Sequence, residues 1–522
     1  MRRICIFTGK LLGLMEGLLS KVGSMKFYDS IVVGSGISGL TLANILALNG
    51  QKVLIVEKSN RIGGSMSRFV KEGIPFDTGF HFTGAFLENG VLHDMLSVLG
   101  IENKIEPVIL SDKEGQAYIF ENDHKKYYMP NGVLSFIEKL KEFFPGEEEG
   151  IDYFFNLAKK IYEETASLDL LRITEVTNIL DEDYISLQEV LDKSFKSRYL
   201  KGILSTFCMC YGVRPSEVSV ANHFRVAYGM YDSVVRIKRG GGAFVSAFKD
   251  ALLELGVDIK TKCTIDKFLD VEGNIVKKFI LSTGEELSCN QCIFTIHPKA
   301  IVESLPKDNL TKAFLMRVSD FEPASGFFSL FGIVEADDND FTPSIVSLLP
   351  SDDVNTLFEP SDNGCSALVL MTSYEDIDSK KVKVLTAMES SSSEDVSQWL
   401  DSSVGKRPKA YYEYKKNREQ QIKERIFQYN PAYRDSFKVI CAASILTYRD
   451  YLNSYECTAY GIKQKMGQFN VFGKLPLRNL YACGQSSVLP GVVGAMMSSF
   501  IVARSIVGRD DYNNFIKARL HR

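Results

Sequence analysis

The chain of 522 residues has one tryptophan, six histidines and ten cysteines, and almost no excess of charge. With 61 basic and 65 acidic residues the formal net charge is −4, so no basic field recommends a nucleic acid as partner. No stretch of about 18 or more residues is uninterruptedly apolar, which argues against a membrane-spanning helix. The close cysteine pairs, Cys208 with Cys210 and Cys289 with Cys292, have no second pair and no histidine pair at zinc-site spacing. Cys289 also precedes a strand-like run at 293–296, whereas a redox pair of this spacing opens a helix. These thiols read as plain buried or surface groups, and with no disulfide framework visible the expected setting is the reducing cytoplasm. The histidines form no metal-ligand pattern, so no metal is expected, and no serine or cysteine triad is visible.

Apolar and aromatic surface is plentiful instead. Hydrophobic residues make up 45% of the chain and charged residues 24%, with 34 phenylalanines and 23 tyrosines. That is the make-up of a globular protein, long enough for two or more cores or two interleaved ones. Residues 1–24 place Leu11, Leu12, Met15, Leu18, Leu19 and Val22 at helical spacing. Lys10, Glu16 and Lys21 interrupt the run and no small-residue cleavage site follows, which makes a poor signal peptide. Two readings stand: an amphipathic anchor giving peripheral contact with a membrane, or a stretch upstream of a start at Met25.

The most informative segment is Tyr28-Asp29-Ser30-Ile31-Val32-Val33-Gly34-Ser35-Gly36-Ile37-Ser38-Gly39. A β-branched run ends in G-x-G-x-x-G, an apolar helix follows and closes at Gly50, and a second strand, Val53-Leu54-Ile55-Val56, ends in Glu57. Strand, glycine turn, helix, second strand and an acid about 20 residues on are the context a dinucleotide fingerprint requires. Gly34 permits the tight turn, Gly36 clears the way for a pyrophosphate at the helix N-terminus, and Gly39 lets helix and strand pack closely. Ser38 stands in the same turn, and Glu57 can accept from both hydroxyls of an adenosine ribose. Past the acid, Lys58, Arg61, Gly63, Gly64 and Ser65 would continue along the ligand. A second glycine pair suits an extended FAD better than a nicotinamide cofactor, though the residues alone leave that choice open.

The stretch 34–64, with Phe76-Asp77-Thr78-Gly79-Phe80-His81, resembles the flavin-dependent phytoene-desaturase-like family, most nearly its retinol saturase and carotenoid isomerase branches. Three further segments carry the same likeness in the right order. They are Arg239-Gly240-Gly241-Gly242-Ala243-Phe244; Leu446-Thr447-Tyr448-Arg449-Asp450-Tyr451 with Tyr460-Gly461; and Asn479-Leu480-Tyr481-Ala482-Cys483-Gly484-Gln485-Ser486 with Pro490-Gly491-Val492-Val493-Gly494-Ala495. The resemblance implies FAD as cofactor and an α/β fold: a Rossmann-like FAD-binding domain of amine-oxidase-like architecture, with an interleaved α+β substrate domain. Segments 25–101, 236–305 and 469–522 would form the first, and 102–235 with 306–468 the second. Residues 256–296 read as a meander of short strands, from Val257-Asp258-Ile259 onward, whose backbone near Thr264 and Ile265 would flank the adenine. Gly484, Gln485, Val493 and Gly494 would aim another helix N-terminus at the flavin pyrimidine.

Within the expected substrate domain, 133–144 and 153–164 read as amphipathic helices, 207–231 as an apolar, Met-containing stretch, and 327–334 as a buried strand. Segments 337–340 and 390–395 read as surface insertions. The whole would surround an apolar tunnel, although any single Phe or Met there is more readily core than lining. The resemblance implies hydride transfer at flavin N5 to or from a carbon–carbon double bond of a hydrophobic polyene, retinoid or unsaturated fatty chain. An alternative is a flavin amine or ring-substrate oxidase, and a third reading is a non-enzymatic carrier of prenyl or lipid chains. Candidate proton handlers are His81, Tyr448 and Tyr460, with Glu456 close by in sequence. Only one dinucleotide fingerprint is visible, so NAD(P)H would serve as a transient electron donor if at all.

Overall fold

The computed structural model describes residues 26–111, 115–173, 179–335, 343–360 and 364–520. The amphipathic stretch within 1–24 and the acidic segment 337–340 lie outside the described residues.

The β-branched run becomes strand Lys26–Val33, the centre of an eight-stranded sheet. It pairs in parallel with Val53–Val56 on one side and with Glu286–Phe294 on the other. Val53–Val56 is buried at all four positions, as a parallel strand covered on both faces must be. Beyond Glu286–Phe294 the sheet turns antiparallel, through Ile275–Leu281 to Ile265–Glu272, with the tight turn at Gly273 in the left-handed region (φ +56°). Leu480–Ala482 takes the other end of Glu286–Phe294 in parallel, with Cys292 opposite Leu480. Helix Ile37–Leu48 is buried from Ile37 to Leu46. An apolar helix without a polar face needs cover all round. The equally apolar Gly491–Val507 provides part of it, with Ser499 Oγ donating to the Ser38 carbonyl at 2.9 Å.

A second, seven-stranded sheet runs in the order Phe437–Ala443, Gly326–Val334, Lys380–Ser391, Leu368–Ile377, Ile345–Leu349, Gln116–Phe120, Lys125–Met129. It is antiparallel except where Ile345–Leu349 meets Gln116–Phe120. One face carries the long helix Lys409–Tyr429, held by buried Arg425, which pairs with Glu389 at 2.6 Å and Glu121 at 2.7 Å. Helices Val133–Phe143, Glu148–Glu164 and Val220–Asp232 build a separate aromatic core beside this sheet.

Three readings from sequence need correction. Asp258–Lys260 is not part of the meander but the far edge of the first sheet, parallel to Val53–Val56. Segment 390–395 is at the surface only from Ser392 onward: Ser390 and Ser391 end a central strand and are buried. Asp395 then accepts from Ser391 Oγ at 2.7 Å and Ser392 N at 2.9 Å to start a short helix. Cys289 does not precede a strand but shares Glu286–Phe294 with Cys292, both buried, and burial pushes both thiols up.

Candidate functional site

A cavity of about 690 Å³ lies between the two sheets. At one end its wall is backbone. Gly34 sits at φ +99°, and a Cβ there would come within 2.7 Å of Thr295 Oγ1; a Cβ on Gly39 would come within 2.0 Å of the Gly34 carbonyl oxygen. Those two glycines are required by close packing. Gly36 differs: a Cβ there would meet nothing within 4 Å, because the residue faces the cavity. Gly64, at φ +53°, closes on Gly36 from the other side, where its own Cβ would lie 3.2 Å from Gly36 Cα. Gly63 does not line the cavity; its N–H donates to the Ser35 carbonyl at 2.9 Å, which fixes the loop. Ser38, Lys58 and Ser65 line the cavity, whereas Arg61 turns away and donates to the Arg68 carbonyl.

Glu57 ends its strand buried at the same end of the cavity. One carboxylate oxygen accepts from Ser35 N at 2.9 Å and Ser35 Oγ at 2.6 Å, and the other from Ser59 N at 2.6 Å. Two oxygens offer about four lone-pair sites, so the carboxylate is held rigidly and retains capacity for one further donor. Cys263, Thr264 and Ile265 line this end from the meander side.

Two long helices point their N-termini into the cavity without side-chain caps. Ile37–Leu48 starts after Gly36, and Gly491–Val507 starts after Pro490. Their first N–H groups are unspent donors at the positive end of a helix dipole. Gln485, Val493 and Gly494 line the second terminus. Gly484 lies just behind it at φ +129°, with its N–H donating to Ser498 Oγ at 2.8 Å. The glycine segment 240–242 serves another purpose. Asp77 accepts from Gly241 N at 3.0 Å, and a Cβ on Gly240 would strike the Asp77 carboxylate.

The rest of the wall is side chain: Phe82, Met209, Cys210, Met230, Phe327, Met371 and Met388 among others. Segment 207–231 thus divides, since Met209, Cys210, Val226 and Met230 border the cavity while Phe224 and Tyr231 belong to the aromatic core. His81, Tyr448 and Tyr460 all line this cavity. Tyr448 is buried and shares a 2.7 Å hydrogen bond with Ser329 Oγ, and burial pushes its hydroxyl up to about 12. Burial also pushes Tyr460 well up. His81 Nε2 is buried without a partner, and burial, assisted by the Arg236 cation, lowers the imidazole to about 4, so it is neutral near pH 7. Glu456 does not join Tyr448 and Tyr460; it pairs with Lys299 at 2.8 Å.

Sequence reasoning missed Ser35, Thr295, Ser329 and Arg236. Thr295 Oγ1 donates to the Val33 and Gly34 carbonyls, at 3.0 and 3.2 Å, and so ties down the fingerprint turn. Its signal lay in its place just past a strand end, readable only once that strand is known to lie beside Lys26–Val33. Arg236 is half-buried, and loss of solvation lowers its guanidinium to about 10. It donates to the Thr372 carbonyl and had no local signature at all.

A fingerprint βαβ unit, an acid at its second strand end and two uncapped helix N-termini on one long cavity define a dinucleotide-type flavoprotein fold. The sequence pattern of flavin containing amine oxidoreductases matches residues 37–401, and the chain belongs to that family. It is similar to all-trans-retinol 13,14-reductase of Danio rerio, 23% identical over 92% of this chain and 86% of that protein. The Homo sapiens reductase is 24% identical over 93% and 86%. It is also similar to the chloroplastic prolycopene isomerase of Daucus carota, 30% identical over 52% of this chain and 46% of that protein. Among solved structures, cyclohexylamine oxidase from Brevibacterium oxydans superposes with a TM-score of 0.60 at 15% identity, covering 93% of this chain and 99% of that one. An oxidoreductase from Methanosarcina mazei gives 0.60 at 14%, covering 90% and 98%. These structures share the fold. The protein is thus a flavin-dependent oxidoreductase by family. Among the described residues, no helix is long and apolar enough to cross a membrane.

Proposed function

We propose that the chain is an FAD-dependent oxidoreductase acting on a carbon–carbon double bond of a hydrophobic polyene or related lipid. The observation that carries this reading is the division of one cavity into a backbone-walled polar end and an apolar end lined by methionine and phenylalanine. When bound, FAD supplies hydride transfer at its N5. Gly34, Gly36 and Ser38 would seat its pyrophosphate at the first helix N-terminus, with Gly39 holding helix and strand together behind them, and Glu57 would accept from the adenosine ribose. Gly64 and Ser65 would run beside its middle, Thr264 and Ile265 beside the adenine. Gln485, Val493 and Gly494 would meet the pyrimidine end, where the second helix dipole favours negative charge.

The apolar wall would hold a polyene against the reacting face and exclude water, which for hydride transfer at carbon is chiefly a matter of positioning. Where a proton is needed, Tyr448 is the stronger candidate. Its hydroxyl is fixed by Ser329 and can give a proton while remaining in a hydrogen-bonded pair, whereas His81 is held neutral and would shape the turn. Tyr460 would border the substrate. The relatives named for retinol and prolycopene support a polyene over an amine. The only lysine among the described lining residues, Lys58, stands beside Glu57 at the polar end rather than by Val493. In this reading the two strand-and-helix blocks at 102–235 and 306–468 serve as the substrate domain, and NAD(P)H or another donor reduces the flavin transiently.

The test is to load purified protein with FAD and supply NADPH or NADH anaerobically with an all-trans polyene alcohol or a poly-cis carotene. Loss or shift of the polyene absorbance, dependent on FAD and abolished by Tyr448→Phe for saturation, supports the reading. Turnover of primary amines with no change in any polyene overturns it.

A further inference from the structure

The segment 453–457 crosses the cavity at the Glu57 end, and nothing in the fingerprint accounts for it. It follows helix Ile445–Leu452 and includes three non-glycine residues in the left-handed region: Asn453 (φ +54°), Glu456 (φ +51°) and Cys457 (φ +63°). Asparagine ending a helix in this way is ordinary. Glu456 and Cys457 in succession are not, since their side chains disfavour that region, and such residues persist only where surrounding contacts over-determine them.

The contacts that hold the segment reach both banks of the cavity. On one bank Asn453 Nδ2 donates to Ser59 Oγ at 2.9 Å, two residues past Glu57. On the other, Lys299 pairs with Glu456 at 2.8 Å, and the Tyr455 ring stacks on His297 at 4.6 Å and 11° while its hydroxyl donates to Glu303. These ties run through side chains; the backbone bonds of Cys457 and Thr458 go to Ser454 and Tyr455 within the segment itself. Shutting the segment has a cost beyond the backbone: Glu456 Oε2 and His297 Nε2 are both buried without a partner. His297 Nδ1 already accepts from Lys299 N at 3.2 Å, so Nε2 carries the proton and is a buried donor with nothing to receive it. Cys457 is buried in an apolar cluster that includes Ile445 and Leu446, so it stays in place as the hinge. Lifting the partly exposed 453–456 about it would relax Glu456 and let water reach both atoms, against the loss of one ion pair, one ring stack and two hydrogen bonds.

We propose that residues 453–457 form a clasp: the outer wall of the adenosine end of the cofactor site, which opens for the dinucleotide to enter or leave. This rests on the reading that the cavity holds FAD. Leu452, Asn453, Ser454 and Tyr455 already line the cavity, as do Glu57 and Thr264.

The experiment measures FAD association and dissociation rates on apoprotein by the change in flavin fluorescence, for wild type, Lys299→Met and Asn453→Ala. A clasp predicts that both rates rise together, several-fold, with Kd changed less than twofold. A fixed wall predicts that dissociation alone rises and Kd rises in proportion; that result, or unchanged rates in both variants, overturns the clasp and leaves the flavin reading standing. Should a variant fold poorly, the double variant Ser59→Cys, Asn453→Cys gives the converse test. Its oxidised form should slow both rates, with recovery on reduction, and rates indifferent to reductant count against the clasp. Wild-type apoprotein that takes up no FAD overturns the flavin reading itself.

Discussion

At the Glu57 end the cavity is walled by glycine backbone, helix N-termini and one carboxylate whose oxygens are fixed by Ser35 and Ser59. At the far end it is walled by the side chains of Met209, Met371, Met388 and Phe327, drawn from a helical segment and three strands of the second sheet. The first wall is built around glycine backbone, and at Gly36 any added side chain would enter the space the ligand needs. The second can be recut residue by residue, and unbranched methionine fits irregular volumes at little cost. A cofactor common to many enzymes and a substrate particular to one are served by these two kinds of wall.

The comparison can be broken most severely at Gly36. Because a Cβ there touches no protein atom, Gly36→Val should fold and melt cooperatively while its FAD content falls below about a tenth of wild type. Wild-type flavin content would mean that the cavity holds its ligand elsewhere. Glu57→Gln removes a charged acceptor and should weaken FAD by about 10- to 100-fold, as loss of charge-assisted hydrogen bonds worth about 1.5–3 kcal/mol implies. Titration of apoprotein with FAD reads this directly. At the other wall, Met388→Phe should leave the flavin spectrum unchanged and raise KM for a long polyene about tenfold, equivalent to about 1.4 kcal/mol of binding. A variant that instead loses flavin would show that the two ends are not separable.

The smallest expected effect is on pH dependence. His81 titrates near 4 in the folded protein and near its ordinary 6.5 when unfolded. Above 6.5 both states are neutral there and the contribution to stability is complete. As pH falls from 6.5 towards 4 the unfolded chain takes up a proton that the folded one refuses, and stability is lost. The melting temperature of His81→Gln should therefore fall less over this window than that of wild type, and parallel curves would contradict the burial of the neutral imidazole.

The Glu57 end was legible in sequence because its requirements are local. A turn with φ +99°, a helix–strand contact that excludes a Cβ, and an acid at a strand end each mark a single position. Strands Lys26–Val33 and Val53–Val56 and the apolar helix between them followed from β-branched runs on either side of a glycine turn. The far end was not legible, since a methionine on a buried strand looks the same in sequence whether it meets another side chain or empty space. The pairing of Asp258–Lys260 with Val53–Val56, and the burial of Ser390 and Ser391 in a central strand, also depend on long-range register that polar composition disguises. Arg236 and Ser329 acquire their roles only from neighbours more than 100 residues away, Thr372 and Tyr448.

The most direct measurement is a single turnover. Enzyme carrying photoreduced FAD, free of oxygen and of any nicotinamide, is mixed with an all-trans polyene alcohol and followed in the visible spectrum. Return of the oxidised flavin bands, in step with the loss of one double bond from the polyene, is the result the account predicts. Flavin that stays reduced and leaves the polyene unchanged, while the oxidised enzyme is bleached by a primary amine, would contradict it.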